Sequence, residues 1–347
     1  MTVDPASGTS GAAAGHRVRP RWRIIATLVV GVVSAGLLLW LAPPDAVIRQ
    51  IGHMQPLWVL GAIALEIGSC LGYVIVFRRF FPEPSGEDSR RVAWIAMGAG
   101  AVLPGGNISS AAATGWLLRR HGIGTRELLE RCGTLLCLLT GFGFAVNGVA
   151  GVLLLAGVPG GPHDLPHAGI PILVSVAVLS GAAVMVLVNH RLGERSPLPV
   201  RGIAAGLRGA WGAVRAPHLR LLGGAAFLLL DMGALWAACS ATGHPLGLPA
   251  LVIAYCIGYM ATTIPMPAGI GVLDSGLAAS LTLYGMPPAA AVGAVLVYHA
   301  ISVWVPGSGG LIAWLPTRQR RPGQPTAVAL AALGPGRLAR AADTTGP

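Results

Sequence analysis

The sequence predicts an all-α integral membrane protein with about six full spans and two re-entrant, broken helical hairpins, arranged as an inverted internal repeat. Three observations predict this. The 347-residue chain is 54% hydrophobic and only 11% charged, with a mean hydropathy of +0.68, and that charged share is about half of what a soluble domain carries. Apolar runs of about 20 residues, the length that crosses a bilayer, recur along the chain. Two further apolar runs are interrupted in the middle by proline and glycine, and the interruptions stand at a fixed offset from each other.

In chain order, residues 1–20 are small and polar and read as a disordered cytoplasmic tail. The membrane domain follows over 21–318, with repeat one at about 21–157 and repeat two at about 169–318. Its first apolar run, 24–42, comes after the basic stretch Arg17 to Arg23 and is longer than a signal-peptide core, so it reads as a retained anchor. Further spans are expected at about 57–77, 132–157, 169–189, 221–241 and 289–315. The runs at about 92–118 and 250–285 are broken by Leu103-Pro104-Gly105-Gly106-Asn107 and by Pro265-Met266-Pro267-Ala268-Gly269. Proline lacks the amide donor and clashes with the preceding turn, so no helix runs straight through either break. Residues 319–347 read as a second disordered cytoplasmic tail.

Whether a broken run crosses or turns back follows from the distribution of arginine, because cytoplasmic loops hold the excess of positive charge. The net charge of +11 comes from Arg alone, since the chain has no Lys. With the N-terminus inside, the second span delivers Arg78, Arg79, Arg90 and Arg91 to the cytoplasm. A first broken run that crossed would put Arg119, Arg120, Arg126 and Arg131 outside, whereas one that returns keeps them inside. The same path brings Arg191 to Arg220 and Arg318 to Arg321 inside as well, and leaves the loops near 158–168, 242–249 and 286–288 without Arg. Both termini are then cytoplasmic, and the hairpins enter from opposite sides.

Leu103 to Ile123 aligns with Met266 to Met286 without a gap, pairing Pro104 with Pro267 and Gly106 with Gly269 at an offset of 163 residues. Each hairpin follows a span with one acid, Glu66 or Asp231, and precedes one long span. Each unit crosses three times, so the second copy is inverted. Inverted repeats with broken helices are a transporter layout, with the substrate near the midplane at the repeat interface.

Irregular backbone at membrane depth is tolerated only inside protein or along a wet cavity. The hairpin tips are therefore candidate substrate sites: Pro104, Gly105, Gly106, Asn107, Ser109 and Ser110 in the first, and Pro267, Gly269 and Gly271 in the second, with Asp274 one turn further in. Free amides at the start of a helix suit an anion such as a lipid phosphate. Tight-turn geometry and a capping role for Asp274 are the structural alternative. Glu66 and Asp231 lie mid-span, where an unpaired charge costs at least about 3 kcal/mol; they must be paired, protonated or facing water, which coupling to protons or binding a cationic headgroup would explain, with a structural hydrogen bond between helices as the alternative. Asn147 and His299 also fall within spans, where a structural role is the simpler reading.

The five cysteines show no metal spacing, and His163-Asp164-Leu165-Pro166-His167 reads as a proline-bounded outer loop. No cofactor or nucleotide fingerprint and no nucleophile–base pair is evident, so neither a cofactor nor an enzymatic activity is expected. Arginine dispersed among spans excludes nucleic acid as a partner. The stretch Arg191 to Arg220 mixes Arg with apolar residues and Trp211, as a juxtamembrane amphipathic segment facing anionic lipid would, with a simple solvated loop as the alternative. The expected partner is membrane lipid, and a homo-oligomer is compatible with this reading. An arginine-rich, lysine-free composition suggests a bacterial inner membrane.

The run from Pro265 to Asp274 with Leu283-Tyr284-Gly285, the segment Val297-Tyr298-His299-Ala300 through Pro306 to Gly310, and Leu103-Pro104-Gly105-Gly106 with Arg119 to Ile123 resemble the lysylphosphatidylglycerol synthase transmembrane, or flippase-like, family over about residues 20–318. The resemblance implies the membrane part only, without the soluble synthase domain, and a role in moving lipid, with an anionic or aminoacylated phospholipid as cargo. Ser109 stands where the family commonly has an acid, Ala112 near a common Arg, His299 in place of Arg, and Asp274 in place of Glu. A different headgroup is the implied consequence. A lipid or lipid-linked amphiphile translocase is thus the leading expectation. The alternatives are a small-solute or ion-coupled transporter on the same scaffold and a non-transporting partner of an envelope enzyme.

Overall fold

A computed structural model describes residues 36, 41–103, 106–119, 122–192, 197–260 and 272–319. Among these the chain forms eleven α-helices and no strand. They are α1 (Pro44–Gly52), α2 (Pro56–Phe80), α3 (Gly86–Val102), α4 (Asn107–Leu118), α5 (Thr125–Leu155), α6 (Leu165–Leu192), α7 (Leu198–Arg215), α8 (Leu222–Ala241), α9 (Leu248–Met260), α10 (Val272–Leu283) and α11 (Pro288–Gln319). Five segments are long and apolar enough to cross a membrane: α2, α5, α6, α11, and α8 with the 3₁₀ turn before it. They coincide with five of the six expected spans; the run 24–42 lies almost wholly outside the described residues.

Local chemistry sets the boundaries. Ser85 caps α3 by accepting the Asp88 amide at 3.2 Å, which starts that helix at Gly86, earlier than the apolar run suggested. Similarly, α5 begins at Thr125, about two turns before its apolar stretch, supported by the i,i+4 pair of Glu127 with Arg131. The Arg-rich stretch after α6 is the amphipathic helix α7, packed on α5 and α6. Gly206 and Gly209 turn toward Gly133, Thr134 and Cys137, while Arg201, Arg208 and Arg215 stay exposed.

The four helices flanking the two breaks are short, with 17 and 12 residues in α3 and α4 and 13 and 12 in α9 and α10. At 1.5 Å per residue these reach about 18–26 Å, less than the roughly 30 Å of a hydrocarbon core. Within each pair the helices pack on each other. At one end of the bundle, Arg131 at the start of α5 donates to the Phe80 carbonyl at 3.0 Å, and Arg220 before α8 donates to the Arg78 carbonyl at 3.2 Å. The end of α2 and the beginnings of α5 and α8 therefore meet there. At the opposite end, Gln50 donates to the Thr242 carbonyl at 2.9 Å, and the Gly247 amide donates to the Gly160 carbonyl at 3.1 Å.

The two larger apolar cores draw mainly on successive parts of the chain, although the second also takes in Val47, Ala150, Leu154 and Ala168. One joins Phe77, Phe81, Val92, Leu118 and Leu128 from α2 to α5, and the other joins Leu235, Ile253, Leu277, Leu281 and Val295 from α8 to α11. The most extensive helix contact, α2 on α8, ties them together. These helices cross antiparallel, with Trp58 edge-on to Trp236 at 5.3 Å and Ser69 Oγ donating to the Phe227 carbonyl at 2.8 Å. At Gly72 and Gly223 the backbones touch, so a Cβ on Gly72 would lie 2.7 Å from the Phe227 nitrogen and 2.8 Å from the Gly223 oxygen. Further contacts cross between the cores, α2 on α11 and α5 on α8 among them, and two of these involve the short helices. α3 meets α11, where Gly98 faces Pro306 and Gly310, and α5 meets α9, where Cys256 Sγ is 3.9 Å from the Gly143 carbonyl.

Candidate functional site

Glu66 and Asp231 occupy the middle of α2 and α8, and the antiparallel crossing places their carboxyls beside each other. Both residues are 5% exposed. Tyr298 on α11 donates its hydroxyl to Asp231 Oδ1 at 2.8 Å, Tyr255 on α9 donates to Oδ2, and the Cys70 thiol points at Glu66 Oε1 from 3.9 Å. Tyr259 stacks on Tyr255 with ring centroids 4.8 Å apart. Four helices from both cores thus converge on two acids.

A second buried pair adjoins this cluster. His299 Nδ1 lies 2.7 Å from Asp274 Oδ1, with the side chains 14% and 6% exposed. His299 follows Tyr298 on α11, so consecutive residues of one helix reach Asp231 on α8 and Asp274 on α10. Glu66, Asp231, Asp274 and His299, all singled out in the sequence, therefore fall in one connected region. Reasoning from sequence missed Tyr255, Tyr298 and Cys70. The signal was there, because a tyrosine in mid-span needs a hydrogen-bond partner for its hydroxyl.

The hairpin tips are placed only in part. Pro104, Gly105, Pro267, Gly269 and Gly271 lie outside the described residues. Gly106 precedes α4 with φ +46°, a left-handed conformation that favours glycine, and its carbonyl accepts the Ser110 amide at 3.0 Å. Asn107 is exposed, Ser109 is half-buried, and the Ser110 side chain bonds Tyr73. On α11, Val102 at the end of α3 lies against Gly307, eight residues from His299, or about 12 Å along the helix. Asn147 has a structural position, donating to the Pro171 carbonyl at 3.2 Å and to Ser175 Oγ at 3.0 Å and so joining α5 to α6.

A cavity of about 370 Å³ opens between α5, α6, α9 and α10, within the range of small-molecule sites. Its walls are largely apolar, with Phe144, Ile170, Val174, Ile257 and Met260 among them, and His167 and Tyr284 stand on its border. Pro171 within α6 supplies no amide to the His167 carbonyl, and the Tyr284 hydroxyl donates to that carbonyl instead, at 2.7 Å. His167 Nδ1 in turn lies 2.7 Å from Asp164 Oδ1, and this hydrogen bond holds the Asp164 carboxyl below the usual carboxylate range. No group of three or more His, Cys, Asp or Glu suited to a metal occurs among the described residues.

Apolar spans, two short helix pairs and a buried ionisable cluster together define a polytopic α-helical membrane protein. The family described as lysylphosphatidylglycerol synthase TM region matches residues 24–310, and the chain belongs to that family. Membership ties this membrane protein to phospholipid metabolism. No curated protein matches the chain.

Proposed function

We propose that the protein is a translocase for a lipid or lipid-linked amphiphile in a bacterial inner membrane, with both termini cytoplasmic and no enzymatic step. The cavity between α5, α6, α9 and α10 carries this reading, because its apolar walls suit an acyl chain and the polar groups at its border suit a headgroup. An aqueous pore for a small solute would be lined with polar groups instead. The family's link to phospholipids supports the same cargo, and an anionic or aminoacylated phospholipid is the first candidate.

The mechanism rests on two inverted units that rock against each other. Supporting this, α3 and α4 lie between α2 and α5, whose adjoining ends meet at one face of the bundle through Arg131 and Phe80; a re-entrant hairpin requires that arrangement. The cross-contacts also match in pairs: α3 packs on α11 as α9 packs on α5, each linking a hairpin arm of one unit to the last span of the other. Glu66 and Asp231, 165 residues apart, are equivalent under nearly the offset that relates the hairpins. Their contact then lies on the pseudo-twofold axis.

Leaflet exchange of headgroup-labelled phospholipids in proteoliposomes tests the proposal. The wild type should exchange anionic or aminoacylated lipid above empty vesicles. Val174→Trp, which fills the cavity from α6, should reduce that exchange about tenfold or more without changing the amount of folded protein. A wild type that moves none of the labelled lipids would overturn the reading.

A further inference from the structure

The Glu66 and Asp231 carboxyls face each other where α2 crosses α8. Among the described residues, every group facing them is neutral or acidic. Cys70 comes from α2, Tyr255 and Tyr259 from α9 and Tyr298 from α11. His299, the next residue on α11, is already engaged by Asp274. Among the described residues neither carboxyl has an ion-pair partner. Both Asp231 oxygens accept tyrosine hydroxyls, and Glu66 Oε1 faces the Cys70 thiol. Glu66 Oε2 is buried with no donor.

Ionised carboxylates only accept hydrogen bonds. Two of them in contact in apolar surroundings repel each other and lose their hydration, which favours one proton between them. A proton on Glu66 Oε2 would give that oxygen the one thing it lacks, a hydrogen to donate to the neighbouring carboxyl. We infer that Glu66 and Asp231 form a single proton-binding site, with one proton held between the two carboxyls when α2 and α8 are in contact.

The inference deepens the translocase reading and rests on it for its functional meaning. The two acids stand on different units, so rocking that parts α2 from α8 admits water and lets the shared proton leave, giving two hydrated carboxylates and one proton. Re-forming the contact takes one proton back. Proton uptake and release are thereby tied to the conformational cycle, and a proton is the coupling ion.

Infrared spectroscopy of the full chain in lipid vesicles reads the proton directly. At neutral pH the wild type should show the C=O stretch of a buried protonated carboxyl, lost in Glu66→Gln and in Asp231→Asn but retained in Asp274→Asn. Each amide preserves the shape of the side chain it replaces, although in Asp231→Asn one of the two tyrosine hydroxyls must turn and accept from the new NH2; thermal unfolding should confirm that both variants fold. Absence of the band in the wild type, or its persistence in both variants, would overturn the inference. Lipid exchange on the same samples separates the two readings. The band without exchange keeps the proton site and removes lipid as cargo, whereas exchange without the band keeps the translocase and removes the proton site.

Discussion

Gly72→Ala tests whether the α2–α8 crossing is as tight as the acid pair requires. The added Cβ would stand 2.7 Å from the Phe227 nitrogen and 2.8 Å from the Gly223 oxygen. Both are backbone atoms, so relief requires the helices to separate rather than a side chain to turn. Overpacking of this kind costs about 1–3 kcal/mol, while alanine recovers up to about 1 kcal/mol of helix propensity relative to glycine. Gly61 lies on the same helix, and a Cβ there meets nothing within 4 Å, so Gly61→Ala keeps the propensity gain without the clash. The difference between the two variants isolates the crossing, with Gly72→Ala expected about 1–3 kcal/mol less stable. Unfolding by SDS in mixed micelles, followed by tryptophan fluorescence, is the suitable assay, because Trp58 and Trp236 touch across the same interface. Equal stability of the two alanine variants would refute the close approach, and with it the geometry that brings Glu66 to Asp231.

Two further outcomes follow from the site. Tyr298→Phe deletes the hydroxyl that donates to Asp231 Oδ1 and leaves a buried acceptor unmet, so the same unfolding assay should show a loss of about 1–3 kcal/mol; an unchanged midpoint would argue against the hydrogen bond. The Asp164 carboxyl is held low by its hydrogen bond to His167. Its contribution is therefore present above the ordinary aspartate value of about 3.9 and lost as pH falls through the lower folded value. Asp164→Asn should accordingly lower the thermal midpoint at neutral pH and leave it unchanged in strong acid, and a pH-independent difference would refute the assignment.

The spans and the breaks were legible because both are local. About 20 apolar residues suffice to mark a helix that crosses, and proline marks where a helix must stop. The four buried ionisable residues were legible one at a time, since each interrupts an apolar run. Their pairing was not, because Asp274 with His299 and Glu66 with Asp231 depend on which helix faces make contact. For α2 on α8 that choice is made by Gly72 and Gly223, glycines indistinguishable in sequence from the exposed ones in a chain with 50 of them. Helices extend beyond their apolar runs where polar side chains support the extra turns: Ser85 and Asp88 begin α3 in a charged stretch, and Glu127 with Arg131 accompanies the start of α5 ahead of its apolar run.

α11 gives these contacts a common consequence. Successive helical residues diverge by about 100°, so Tyr298 and His299 cannot serve one partner; they bind α11 simultaneously to α8 through Asp231 and to α10 through Asp274. Further along, α11 receives α3 at Gly98, where the contacts are Pro306 and Gly310 backbone atoms with no side-chain play. A shift of α3 against this helix must either break that backbone contact or carry α11 with it. Carrying α11 strains both buried polar contacts at once, and each becomes costly as soon as one partner is left unmet. The expected response is a discrete switch between paired and hydrated states of the acids, because a partial displacement would leave buried polar atoms with neither partner nor water. That bistability is what would let a cargo seated between α5, α6, α9 and α10 be sensed at the acid pair through α9, which contributes Ile257 and Met260 to the cavity and Tyr255 to Asp231.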